Sequence, residues 1–330
     1  MSTMPLSKEE RPQVAPMVQT NAKKLGFRNW STFWLWAIIG GYFAAFNIWN
    51  MRKLDFEGSF QANALPGEYS WMKRTAGYKT LFRAHLACVL PCSVIGLLQF
   101  VPQLRRKYMS IHRSLGEAFF VMMGFGAPSG IMVAVHAFGA AENPSVRLSI
   151  MLTGVLTICY LAASYFYIST NASVSRLRYK LHNRPSNPDA RALRRYKAID
   201  IRLHREFIIR TLAVMSTGSF SSVYLIIPEV MNWTLGYVAF PCGTLIEDLG
   251  VSPISSHLQS TYPACMVENG GHAGTIVAVK ADLSGSMEEL TAWGRAGIGM
   301  AFWAALVLHM VLAEIYIRIS SKDDDRSDDL

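Results

Sequence analysis

The chain has 330 residues and a net charge of +9; 51% of its residues are hydrophobic and only 17% are charged. With a mean hydropathy of +0.21, it is too apolar for an ordinary soluble domain of this size. Runs of about 18–25 apolar residues are what a hydrocarbon core of about 30 Å asks of a helix, and such runs recur along the sequence. The expectation is an all-α, polytopic transmembrane bundle of about six helices with both termini cytoplasmic.

Residues 1–30 are polar and read as a cytoplasmic tail. The first apolar run, 31–50, is long enough to stay as an anchor, so no cleaved leader is expected. Runs at 81–101, 114–138, 148–170 and 207–227 complete a membrane core over 31–227. Residues 228–293 read as an external loop, whose stretch "VMNWTLGYVAF" is too short to span. A last span, 294–317, leads to an acidic cytoplasmic tail, 318–330, read as solvated.

The basic residues follow this alternation. Segments 1–30, 102–112, 171–206 and 318–330 hold five, three, ten and three Lys/Arg. The opposite segments 51–80, 139–147 and 228–293 hold five, one and one. That is the positive-inside pattern, so the charge reports topology and a nucleic-acid partner is not expected. The expected partners are the lipid bilayer and a lipophilic small molecule.

Cys88 and Cys92 share one helical face, and Cys159 lies in the fourth run; all three read as small hydrophobes. Cys242 and Cys265 fall in the external segment, where an oxidising lumen permits a disulfide. Asn232 opens an N-x-T sequon on that side, a candidate glycosylation site close to the membrane. The sequons at Asn29 and Asn171 fall on the cytoplasmic side and are expected to stay bare.

Ionisable groups inside spanning helices mark candidate function. His112-Arg113 and His204-Arg205 stand before long apolar runs on the inner side. His85 and His136 are placed at similar depth on the outer side. His309 and Glu314 lie in the inner half of the last span, and Glu229 follows the fifth run. Two imidazoles facing one another across a bundle suit one haem iron or metal, and a His-Arg step suits an anion such as a propionate, a phosphate or a lipid head group. The alternative is that His and Arg stand at a helix mouth because the interface tolerates them. For the loop residues His182, His257 and His272, ligation is the weaker reading.

The stretch "FRAHLACVLPCSVIGLLQFVPQLRRKYMSIHRSLGEAFFVMMGFGAPSGI" at 82–131 resembles the DUF2306 family of predicted membrane proteins. The resemblance rests on His85, Gln99-Phe100, Arg105-Arg106, and His112-Arg113 with Gly116. His204, Arg205 and Arg210 of "HREFIIR" fit the family's later motif, with Phe207 where a Trp is usual. It covers roughly 80–230. It implies a multi-helix membrane bundle distantly related to cytochrome b561-like haem proteins, with fungal members placed near secondary-metabolite genes.

The two-haem arrangement needs histidines about 20 Å apart on one helix, whereas the 24-residue separation of His112 and His136 spans about 36 Å. One haem b, held by His112 and His204 with Arg113 and Arg205 on its propionates, is the first functional reading; His85 with His136 is the weaker pair. The second is a membrane-embedded acid–base enzyme of cyclase or isomerase type, or an accessory protein of a fungal pathway. Its candidates are His85, His112, His204, Glu229, His309 and Glu314. The third is a non-catalytic scaffold or small transporter, in which the Ser/Thr run at 211–225 glues helices or lines a polar cavity. No nucleotide-binding loop, HExxH or GxSxG occurs, and no Asp-rich motif of diphosphate-ionising enzymes lies in the membrane helices.

Overall fold

A computed structural model describes residues 25–26, 30–136, 144–181, 189–226, 236–250, 256–266 and 273–328. The expectations for Asn29, His182, Glu229, Asn232 and His272 lie outside these residues, as does the side chain of Asn171. α1 runs through three consecutive segments, Trp30–Leu35, the π-helical Trp36–Gly40 and Gly41–Asn50. α2 is Tyr78–Leu98, α3 Met109–Val135, α4 Pro144–Leu181, α5 Asp189–Tyr224 and α6 Met287–Asp328.

Local chemistry sets the boundaries. Gly77 takes a φ of +73° at the N-cap of α2, which glycine adopts without strain, and reverses the chain out of the short helix Glu68–Arg74. Pro102 holds Val101 in extended backbone after α2. Pro144 opens α4, where its missing N–H is not needed. Glu288 and Glu289 in the first turn of α6 favour the positive end of the helix dipole, so α6 begins well before the expected 294.

Four stretches, Tyr78–Leu98, Met109–Val135, Pro144–Ser169 and Met287–Ile319, are long and apolar enough to cross a membrane. The 21 residues of α2 span about 31 Å, the thickness of a hydrocarbon core. Val121, Phe125, Phe166, Val307 and Val311 on these helices are exposed, which suits a lipid solvent. The expected spans at 31–50 and 207–227 do not reach the same measure among the described residues. A π-helical segment interrupts the first, and Arg210 with a run of Ser and Thr lowers the hydropathy of the other.

α2 packs on α3, α3 on α4, α4 on α5, and both α4 and α5 on α6, while α1 lies against α2 and α5. The centre of the bundle is Cys92, Phe119, Met123, Ala127 and Leu161.

The segment expected as an external loop carries regular structure of its own. β1, Tyr237–Pro241, pairs antiparallel with β2, Ile276–Lys280, with Tyr237 opposite Lys280. Alternation sends Val238 and Phe240 inward, onto Leu245, Leu258, Tyr262, Val279 and Trp293. Cys242 and Cys265 are joined by a disulfide beside this core. Segment 51–77 completes the layer through Phe56, Phe60 and Met72 packed with Tyr78, and an Arg74–Glu247 ion pair ties it to the disulfide-bonded part. The result is a helical bundle with a small cap at one end.

Candidate functional site

Three membrane histidines share one mode of attachment. His85 Nδ1 lies 2.9 Å from the Gly126 carbonyl and 3.3 Å from Ser129 Oγ. His204 Nδ1 lies 3.0 Å from the Ser164 carbonyl and 2.8 Å from its hydroxyl. His309 Nδ1 lies 2.8 Å from Ser216 Oγ, and that hydroxyl donates to the Ala213 carbonyl at 2.7 Å. A carbonyl only accepts, and the Ser216 proton is already engaged. Each neutral ring is therefore protonated on Nδ1 and keeps an Nε2 lone pair. The sequence gives room for one of them: a Cβ on Gly130 would stand 2.8 Å from His85 Cε1.

The α5–α6 seam carries the densest polar chemistry. Arg210 Nε donates to Glu314 Oε1 at 2.6 Å and its Nη2 to Oε2 at 3.1 Å, a bidentate fork. Glu206 flanks Arg210 at 3.6 Å on α5. Tyr160, Arg210, Ala213, Met310, Ala313 and Glu314 enclose a cavity of about 10 Å³, room for about one water. His309 lies five residues before Glu314, about 8 Å along the helix. Phe220 packs on its ring edge to face at 5.0 Å and Tyr224 at 6.0 Å. Further out, Asn47 of α1 donates to Ser219 Oγ at 3.1 Å, and Tyr42 donates to the Ser219 carbonyl at 3.3 Å.

The structure rearranges several sequence expectations. His112 stands in the first turn of α3, but His204 lies fifteen residues inside α5, because the basic turns before it stay helical. His85 and His136 do not share a depth. His85 faces Gly126 and Gly130, and His136 lies six residues beyond Gly130, about 9 Å further out, with Nδ1 on its own helix at Met132 O. Arg113 and Arg205 sit beside His112 and His204, and Arg113 is exposed. His257 pairs with Glu288 at 2.5 Å and pins the cap to α6.

The described residues give a haem no support. The outer imidazoles are staggered by about 9 Å along the helices. In the inner pair, the ring packed on His204 from α3 is Phe120, at 6.3 Å. The cavity at Arg210 and a groove of about 370 Å³ between α3 and α4 are lined by no histidine. Among the described residues, no three His, Cys, Asp or Glu side chains are grouped to hold a metal. The interhelical partners Ser129, Ser164 and Tyr160 carried no motif in the sequence, only a hydroxyl set within an apolar run, whereas Ser216 belongs to the Ser/Thr run at 211–225.

Residues 82–179 match the family described as a predicted membrane protein, DUF2306. A relative in Aspergillus versicolor, "Ava biosynthesis cluster protein G", is 77% identical over 312 residues, covering 90% of this chain and 91% of that protein. No solved structure matches the chain.

Proposed function

The chain belongs to the DUF2306 family of predicted membrane proteins, and we propose that it is a membrane-embedded acid–base enzyme acting on a lipophilic intermediate of a fungal biosynthetic pathway. The pathway role is supported by the relative's place in a biosynthesis cluster. The chemistry rests on one observation, the fixed Nδ1–H tautomer of His309 between aromatic rings and beside the Arg210–Glu314 pair. With Nδ1–H held by Ser216, Nε2 accepts a proton from one carbon or oxygen of the substrate and returns it to another. That is the balance of an isomerisation, in which the proton is taken first and returned afterwards. The neighbouring Phe220 and Tyr224 rings favour the transient imidazolium. Glu314, held by the bidentate Arg210 fork, lies about 8 Å away along the helix.

The test is complementation in Aspergillus versicolor lacking its cluster protein G. The wild-type chain is expected to restore the Ava product. His309→Ala and His309→Gln, expressed at equal level, are expected to leave its precursor accumulating. Full restoration by both variants would remove the catalytic role. A scaffold would then stand, a reading favoured by the use of all three Nδ1 atoms as helix-to-helix bonds.

We infer that six segments cross the membrane, with 31–50 and 207–227 joining the four apolar helices and with both termini in the cytosol. The charge distribution and the Cys242–Cys265 disulfide support this, since the cap then faces an oxidising lumen. A cysteine-reactive, membrane-impermeant maleimide is expected to label Ser7→Cys only after cytosolic exposure and Ser284→Cys only from the lumen. Labelling of both from one side would overturn the six-span topology.

A further inference from the structure

Two polar groups at the inner end of the bundle are left over by the packing and by the proposed site. Gln99 Nε2, just past α2, and His112 Nδ1, in the first turn of α3, are buried and have no hydrogen-bond partner among the described residues. They belong to one face. Gly116 lies one turn after His112, and the Gln99 amide oxygen is 3.8 Å from where a Gly116 Cβ would stand. Arg105, Arg113 and His204 all lie within electrostatic reach of His112. A buried donor without an acceptor, beside two guanidinium groups at the membrane boundary, describes a place for an anionic oxygen.

The apolar half of a ligand has a place as well. Phe120, Val121, Gly124 and Pro128 of α3 and Ile158, Ala162 and Tyr165 of α4 line the groove of about 370 Å³. That is the size of a small-ligand site. Arg113 precedes Phe120 by seven residues, two turns along the same side of α3. The groove therefore begins about 10 Å below Arg113 and continues about 12 Å to Pro128. Glu117 stands on this side between them and offsets one cation.

We propose that Gln99 and His112, with Arg105 and Arg113, bind the phosphoryl group of a membrane amphiphile whose apolar chain lies in the α3–α4 groove. The Gln99 amide and the His112 Nδ1–H donate to phosphoryl oxygens. The two arginines balance the charge at the depth of the inner-leaflet phosphates. The site is separate from the α5–α6 seam and stands or falls without it.

The test uses the full chain in dodecyl maltoside, with dodecyl phosphate, dodecanol and inorganic phosphate as probes and the thermal midpoint as readout. Dodecyl phosphate at saturation is expected to raise the midpoint by roughly 5 °C; dodecanol and inorganic phosphate are expected to raise it far less. Gln99→Leu replaces an unpartnered amide by an apolar group of similar size and is expected to fold at least as stably as the wild type. It should nevertheless lose the shift, as should His112→Ala. No atom outside its own helix lies within 4 Å of a Cβ on Gly124, so a side chain can leave the backbone there, and Gly124→Phe, which places a ring in the groove, should abolish the response to the amphiphile. An equal shift in Gln99→Leu, an equal shift with dodecanol, or no shift at all would overturn the proposal. Inorganic phosphate matching dodecyl phosphate, with Gly124→Phe unaffected, would overturn the amphiphile and leave a free-anion site.

Discussion

In the cap, Phe240, Leu245 and Leu258 are fully buried beside the Cys242–Cys265 bond, and the exposed Arg74–Glu247 pair lies at the rim. In the bundle the arrangement is turned over. Val121, Phe125 and Phe166 face outward, while Ser93, Ser164, Thr211 and Thr217 are buried. Each region answers its own solvent. Water drives apolar surface inward in the cap. Lipid gives apolar side chains no reason to leave it, so helices meet through small residues, hydroxyls, imidazoles and one Arg–Glu fork. The two regions should therefore fail under different insults.

The largest effect expected is on the cap alone. The disulfide closes a sequence separation of 23 residues, and removing such a constraint costs about 3 kcal/mol. Cys265→Ser, or reduction of the wild type, is expected to open 236–286 to limited proteolysis while the bundle keeps its helical signal and thermal midpoint. Joint unfolding of cap and bundle at the lower temperature would show that the two are one cooperative unit.

Next comes the fork between α5 and α6. Arg210→Met strands Glu314, and Glu314→Met leaves Arg210 with Glu206 alone; breaking a buried pair costs up to about 3–5 kcal/mol. Glu314's side chain is 44% exposed, so about 2 kcal/mol is expected after screening. The double variant Arg210→Met/Glu314→Met is expected to recover most of it, because no charge is then stranded. Unfolding in mixed micelles measures this cycle; additive losses would mean that the fork contributes nothing as a pair.

The same division explains what could be read beforehand. Apolar runs are long signals, so α2, α3, α4 and α6 were legible as helices long and apolar enough to span, although α6 starts well before the expected 294. The cap was not. Its strands, "YVAFP" and "IVAVK", are five residues each, too short for alternation to stand out beside Gly, Pro and Ser. His309 and Glu314 were legible as ionisable groups in an apolar run, but their partners were not. Ser216 and Arg210 become partners only when α5 lies against α6, and a sequence without contacts does not say which helices are neighbours. The 9 Å stagger of His85 and His136 escaped for a related reason. Counting residues from helix ends assumes that both helices end at the same level, whereas α2 starts at Tyr78 and α3 runs on to Val135.

A smaller effect tests the close approach of α2 and α3. A methyl on Gly130 would meet the His85 ring at 2.8 Å, whereas one on Gly124 would meet no atom outside its own helix within 4 Å. Gly130→Ala is expected to lose about 1 kcal/mol from overpacking. Gly124→Ala is expected to be neutral or to gain slightly from helix propensity. Equal behaviour of the two would mean that His85 swings aside and its bond to Gly126 is not part of the packing.

The smallest effect returns to the cap and is a matter of pH. Burial raises the Glu68 carboxyl above its usual range, opposed by the Leu65 N–H, Lys53 and Arg295. A carboxyl raised on folding binds its proton more tightly in the folded state. Its contribution is therefore full below the ordinary carboxylate range, near pH 4, and is lost as pH rises through the folded value. Asp282 behaves oppositely. Hydrogen bonds from Lys280 and Ser284 hold it down at about 2, so its contribution is present above the ordinary range and lost only as pH falls through that value. As pH rises above the ordinary carboxylate range, Glu68 is thus the one of the two whose contribution is being lost. The cap of the wild type is expected to loosen slightly across that window, read as the proteolysis rate of 236–286 at fixed temperature. Glu68→Gln should flatten the profile, and Asp282→Asn should leave its slope unchanged while raising the rate at every pH. A slope that survives Glu68→Gln would place the titrating group elsewhere.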